Sequence, residues 1–155
     1  MPVKTPEEAT AFVKRWMDDR GVFRTDASDN SKDVYFSYEG TSDSGINFAI
    51  QQPINMARVV GVTTKILFDQ RQLEDLVQEK RNNFLNSMSK KLLFVNPASA
   101  LGPKLEKPEW ILFIKEISYD ELTEGRLIDA VDQVSRAVIF ASSLIIDELG
   151  EPKAE

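Results

Sequence analysis

The chain has 155 residues, 42% of them hydrophobic and 28% charged, with a formal net charge of −6 and neither Cys nor His. That length is enough for one domain to bury most of its apolar surface without staples, and the acidity opposes nucleic acid and anionic membrane as partners, since phosphate affinity rests on Lys and Arg displacing counterions. The missing residue types exclude thiol nucleophiles, thiolate or imidazole zinc sites and Ser-His-Asp triads, so an enzyme here has only carboxylates, Lys, Tyr, Ser or a hard metal ion to work with.

The start, "MPVKTPEEAT", lacks the apolar core of a signal peptide, which makes a cytoplasmic location the expectation. Thr5-Pro6-Glu7-Glu8 then supplies an N-cap, a proline at the first helical position and a capping-box glutamate. The spacing of Ala9, Phe12, Val13, Trp16 and Met17 predicts a one-sided helix that stops at Gly21. After the polar "RTDASDNSKD", the runs "VYFSYEG" and "GINFAIQQ" alternate with period two and flank turn chemistry, predicting a hairpin. A third strand, "ARVVGVTTKILF", sets Val60, Val62, Ile66 and Phe68 on one face.

Asp69 with Gln72 predicts a second helix to about Lys90, with Leu73, Leu76, Val77, Phe84 and Met88 as its stripe and Lys80 inside it. "KLLFVN" and "EWILFIKEI" read as two further strands, apolar on both faces, around the loop "PASALGPKLEKP". Ser118 with Glu121 predicts a capped final helix that restarts near Gly125 and runs to about Leu149, before a frayed tail at 150–155. Leu127, Val131, Val134, Val138, Ile145 and Leu149 form its centre, flanked by an isoleucine edge (Ile128, Ile139, Ile146) and an alanine edge (Ala130, Ala137, Ala141, with Leu144). An arc that wide needs two neighbours, because an uncovered isoleucine forfeits roughly 1.5–3 kcal/mol.

The resulting α+β order, α-β-β-β-α-β-β-α, carried by the capped starts at Thr5, Asp69 and Ser118 and by the five strand runs, resembles the type III secretion chaperone-like (CesT-like) fold group and its uncharacterised bacterial and archaeal relatives. The resemblance covers almost the whole chain. It implies a twisted, mostly antiparallel five-stranded sheet with the first and last helices on one face and the middle helix on the other. It also implies a homodimer, for which Leu73, Leu76, Val77, Phe84 and Met88 are the candidate interface, and an exposed sheet surface that receives a segment of a client protein.

The local polar motifs favour structural roles. Asp26, Asp29, Asn30 and Asp33 lack EF-hand spacing and read as a turn with Asx caps, and "GTSDSG" lacks the Lys-Ser/Thr of a phosphate loop. Lys80 reads as a lysine that lays its stem on the core and keeps its ammonium at the rim. The milder sheet face, Tyr35, Ala49, Val59 and Thr63, is the candidate peptide-binding surface. The sequence therefore points to a non-catalytic protein-binding module that pairs with itself, with no cofactor, metal, nucleic acid or membrane. A small-ligand binding domain, its pocket between last helix and sheet, is the alternative; a Mg-dependent enzyme built on Asp26, Asp29, Asp33 or Asp43 is the third reading.

Overall fold

The computed structural model describes residues 2–150. Helix α1 (Pro6–Arg20) begins where Thr5 Oγ1 accepts a hydrogen bond from the Glu8 amide, with Pro6 at a position whose missing N–H costs nothing. Glu8 reaches back as well, accepting from the Lys4 amide at 2.8 Å. Gly21 ends the helix at φ 67°, a left-handed conformation glycine adopts without Cβ strain. Ala9, Val13, Trp16 and Met17 form its buried face.

Strands β1 (Phe23–Asp26), β2 (Val34–Thr41), β3 (Asn47–Pro53) and β4 (Val59–Leu67) follow. The β2–β3 hairpin runs in register from Thr41 opposite Asn47 to Phe36 opposite Gln52, with an irregularity that leaves Tyr35 without a cross-strand partner. Ala49 faces Thr63 on β4. After the short α2 (Gln70–Glu74) and α3 (Gln78–Leu92) come β5 (Ala98–Gly102), β6 (Trp110–Ser118) and the long α4 (Glu124–Leu149). The six strands form one antiparallel sheet in the order β1-β2-β3-β4-β6-β5.

The α+β class agrees with the sequence reading, and four local expectations are corrected. First, β1 adds a strand: "FRTD" has no apolar alternation and joins the sheet through its backbone, Asp26 opposite Tyr38. Second, the helix expected from Asp69 to about Lys90 is broken at Asp75–Val77. Arg81 sustains the break, its Nε and Nη2 donating to the carbonyls of Leu73 (2.9 Å) and Leu76 (3.3 Å) that an uninterrupted helix would occupy. Third, "KLLFVN" is not a strand. It finishes α3 and turns, leaving Leu93 and Phe94 exposed, and the strand lies later, at "ASALG". Fourth, Ser118 to Glu121 does not cap the last helix; Thr123 does, its Oγ1 accepting from the Arg126 amide.

The chain divides into two compact units: residues up to Thr64 with Ile114–Ser135, and Lys65–Phe113 with Arg136 onward. In the first, the α1 face is buried together with Phe36, Phe48, Ile50, Val60 and Val62 of the sheet. A polar pair lies in this interior: the Tyr119 hydroxyl donates to Gln52 Oε1, both residues being buried. Arg58 closes over it, its guanidinium 5.5 Å from the Tyr119 ring centre and 3.2 Å from Asp120. Burial pushes the Tyr119 phenol above its ordinary range, against a smaller opposing effect of the Gln52 bond, and burial likewise raises Tyr38.

Those two phenols give the fold an alkaline limit. Because the unfolded chain ionises its tyrosines first, the stability they contribute is complete below about pH 10 and is lost as the pH rises through the higher folded values. Tyr119→Phe is expected to cost about 1–3 kcal/mol at neutral pH by stranding the Gln52 acceptor, and to flatten the alkaline fall; urea melts at pH 7 and above pH 10 measure both.

The second unit is built on Phe68 and Phe84, edge to face at 6.3 Å between ring centres, with Leu73, Met88, Ile111 and Phe113 buried around them. Its α3 lies beside the end of α4, where Lys91 Nζ meets Glu148 at 3.1 Å, and the Gln72 amide donates to the Leu149 and Gly150 carbonyls that end the helix. Along α4 the alanine edge (Ala130, Ala137, Ala141) is buried, while Ile128, Ile139 and Ile146 stay exposed. Among the described residues no helix is long and apolar enough to cross a membrane.

Candidate functional site

In the first unit, α1, α4 and the β2–β3 turn enclose a cleft of about 280 Å³. Its apolar lining comes from Phe48 on β3, Val22 after α1, and Ile128 and Val131 on α4. The turn that forms the third wall is tied by the Ile46 amide to Ser42 Oγ and reverses at Gly45, φ 81°. Trp16 enters from the last turns of α1, and Ser135 from the isoleucine-edge side of α4.

Both of these side chains are only 4% exposed, yet neither Trp16 Nε1 nor Ser135 Oγ has a hydrogen-bond partner. An indole N–H can only donate, and a buried polar group left unmade costs about 1–3 kcal/mol. Arg20, one turn beyond Trp16, holds its guanidinium 5.7 Å from the Trp16 ring. Asp43 on the turn and Asp129 and Asp132 on α4 bring carboxylates to the other walls, and Asp132 is already engaged in an interaction. The cleft therefore combines an apolar lining with side chains of both charge signs, while Trp16 Nε1 and Ser135 Oγ lie sealed behind it.

The family model for an uncharacterized conserved protein, DUF2299, matches residues 10–145, which include every residue that lines this cleft. The chain belongs to the DUF2299 family. A crystal structure of an uncharacterized protein from Methanothermobacter thermautotrophicus matches it with a TM-score of 0.79 at 21% identity, covering 92% of this chain and 99% of that one. At that identity the likeness shows the fold alone. YbjN from E. coli covers 97% of this chain and 93% of its own at 12% identity and a TM-score of 0.43, too distant a likeness to carry an argument. No curated protein matches the DUF2299 chain.

The residues singled out in the sequence fall elsewhere in this DUF2299 fold. Among the described residues no three carboxylates gather where they could hold a metal, so Asp26, Asp29, Asp33 and Asp43 do not converge on one site. Asp26 is instead an Asx cap, its Oδ1 accepting from the Ser28 hydroxyl and amide, which hold the carboxyl below its ordinary range. "GTSDSG" is the hairpin turn, and Lys80 is exposed on the first turn of α3.

On the sheet face that Ala49 and Thr63 share, Thr63 is buried, Ala49 and Val59 are half-buried and Tyr35 is 50% exposed at the strand irregularity. Ser37, Glu39 and Gln51 line a second cleft there, of about 370 Å³ and mostly polar residues. Of the candidate dimer residues, Leu73, Phe84 and Met88 are buried inside the second unit, Leu76 is half-buried and Val77 is exposed.

Sequence reasoning weighed Trp16 as a pocket-lining aromatic but favoured core, and left Arg20, Asp129 and Ser135 outside its site lists. The one available signal was Ser135, a hydroxyl within the apolar run "SRAVIFASSLII" on the flank of a helix whose centre is buried.

Proposed function

We propose that this DUF2299 chain is a non-catalytic protein-binding module of chaperone-like kind that docks through the open isoleucine edge of α4. The observation that carries the reading is the exposure, within the second unit, of Ile139 (51%), Phe140 and Ile146 on one helix. Large apolar side chains grouped on an element whose opposite edge is packed mark an interaction surface, and each left wet forfeits roughly 1.5–3 kcal/mol. The partner assigned is a second copy of the chain, because one helix edge can meet its own copy about a twofold axis with no other molecule required. Leu73, Phe84 and Met88 are enclosed within the second unit, whereas Val77 remains exposed for contact. Capture of an extended client segment along an edge strand, β1 or β5, is the second mode.

Light scattering after size exclusion, across a dilution series, tests this. The wild type is expected at twice the chain mass, and Ile139→Asp at the single mass with an unchanged circular dichroism spectrum. A wild type that stays monomeric at every concentration overturns the assignment.

A further inference from the structure

The outer edge of β5, in the second unit, gives the protein-binding reading above, on which this inference rests, a partner of definite chemistry. We infer that β5 takes an extended, acidic segment of another protein as an additional strand. The strand order ends at β5, with β6 on its one paired side. The Glu109 amide, next to β6, bonds the Gly102 carbonyl at 2.7 Å, and among the described residues no other loop or side chain reaches the β5 backbone. Ala98 and Ala100 are exposed, so no bulky side chain bars a second backbone from that edge.

Both ends of the strand carry the same two features. Exposed Leu93 and Phe94, the latter at 91%, precede β5, and exposed Leu105 follows it. Lys90 and Lys91 accompany the first group, Lys104 and Lys107 the second. With Glu106 the only acid among residues 90–107, this stretch carries +3 in a chain of −6, and the rest of the molecule therefore carries −9. Lys91 and Lys107 meet Glu148 and Glu74 at 3.1 and 3.3 Å in partly exposed pairs that water and salt weaken, and Lys90 and Lys104 have no acidic partner among the described residues.

Charge and backbone chemistry sort the rival occupants. Lysines alone are an ordinary guard against edge pairing, but a guarded edge does not also expose a phenylalanine and two leucines at its ends. An anionic bilayer would take the apolar side chains and the lysines, yet it cannot bond an open strand edge, whereas a peptide backbone does. The sheet's other edge strand, β1, is flanked by Asp18, Asp19, Asp29 and Asp33, which repel the same acidic segment.

The probe is a fluorescein-labelled peptide that alternates Val and Thr through its centre and carries Glu at both ends. Its anisotropy is followed as wild type or Ile139→Asp is added, and both are expected to give a saturable rise that weakens with added NaCl. The same peptide with Lys in place of Glu, or with alternate backbone amides N-methylated, is expected to bind at least about tenfold more weakly. So is the Glu peptide to Phe94→Ser and to Lys90→Glu combined with Lys104→Glu, all exposed positions whose variants keep the fold by circular dichroism. A wild type that proves monomeric while the peptide still binds removes only the α4 assignment and supports β5 as a separate surface.

No saturable rise with either protein overturns the inference, and so does an N-methylated or Lys-ended peptide that binds as tightly as the first. Sedimentation with vesicles of phosphatidylserine and phosphatidylcholine in equal parts, lost in Phe94→Ser while the peptide gives no signal, would overturn it in favour of a bilayer. A wild-type dimer split by Phe94→Ser but not by Ile139→Asp would overturn it in favour of a second copy.

Discussion

Gly40→Ala is expected to lower the free energy of unfolding by about 3 kcal/mol, and Gly40→Val to prevent folding. A Cβ built on Gly40 meets the Val22 carbonyl oxygen at 2.7 Å, Met17 Cε at 2.8 Å and Phe48 Cζ at 2.9 Å. The Met17 side chain can swing away. The Val22 carbonyl cannot, because it accepts the Thr41 amide at 3.0 Å and so fixes the end of α1 against β2. Retreat would break that bond or push Phe48 out of the cleft lining, so the cost falls on α1, the hairpin and the cleft together. Gly125→Ala is the matched control: nothing lies closer to its Cβ than Thr123 Oγ1 at 4.0 Å, and alanine in a helix is expected to add about 0.5 kcal/mol. Urea melts of the two alanine variants should therefore move in opposite directions, and equal shifts would refute the close-packing argument.

What was legible in the sequence is what local chemistry decides. Thr5, Pro6 and Gly21 bound α1 through caps and a left-handed turn, and the period-two runs of β2, β3 and β4 and the continuous apolar run of β6 announce strands whichever neighbours they find. Elements made by tertiary pairing were not legible: β1 is four residues, three of them exposed, and β5 is "ASALG", so nothing in either distinguishes strand from loop before a neighbouring backbone arrives. "KLLFVN" failed for the opposite reason, since a short apolar run fits a helix end as well as a strand. The cleft is assembled from positions 16, 20, 43, 129 and 135, separations that no motif spacing can encode. The width of the last helix's apolar arc called for two neighbours, and along α4 its alanine edge is covered while its isoleucine edge is not.

The largest contrast between pattern and packing lies at two members of the same predicted stripe. Phe84→Ala is expected to cost about 3–5 kcal/mol, and Val77→Ala less than about 0.5 kcal/mol. By periodicity the two stand on one helix face, and an uninterrupted helix would bury both. The break at Asp75–Val77 resets the helical phase: Val77 becomes the extended residue before α3, 63% exposed, while Phe84 points inward against Phe68. Arg81 enforces that reset by occupying the Leu73 and Leu76 carbonyls, so Arg81→Met is expected to weaken the break and lower stability by about 1–3 kcal/mol through the unmet Leu76 acceptor, the Leu73 carbonyl keeping the Leu76 amide. Denaturant melts of the three variants form one experiment. If Val77→Ala proved as costly as Phe84→Ala in a chain that is monomeric at the concentration used, the stripe would be continuous and the broken helix wrong. If Val77→Ala became costly only where the chain self-associates, the loss would belong to an interface, and Val77 would join Ile139 as part of the surface that binds the second copy.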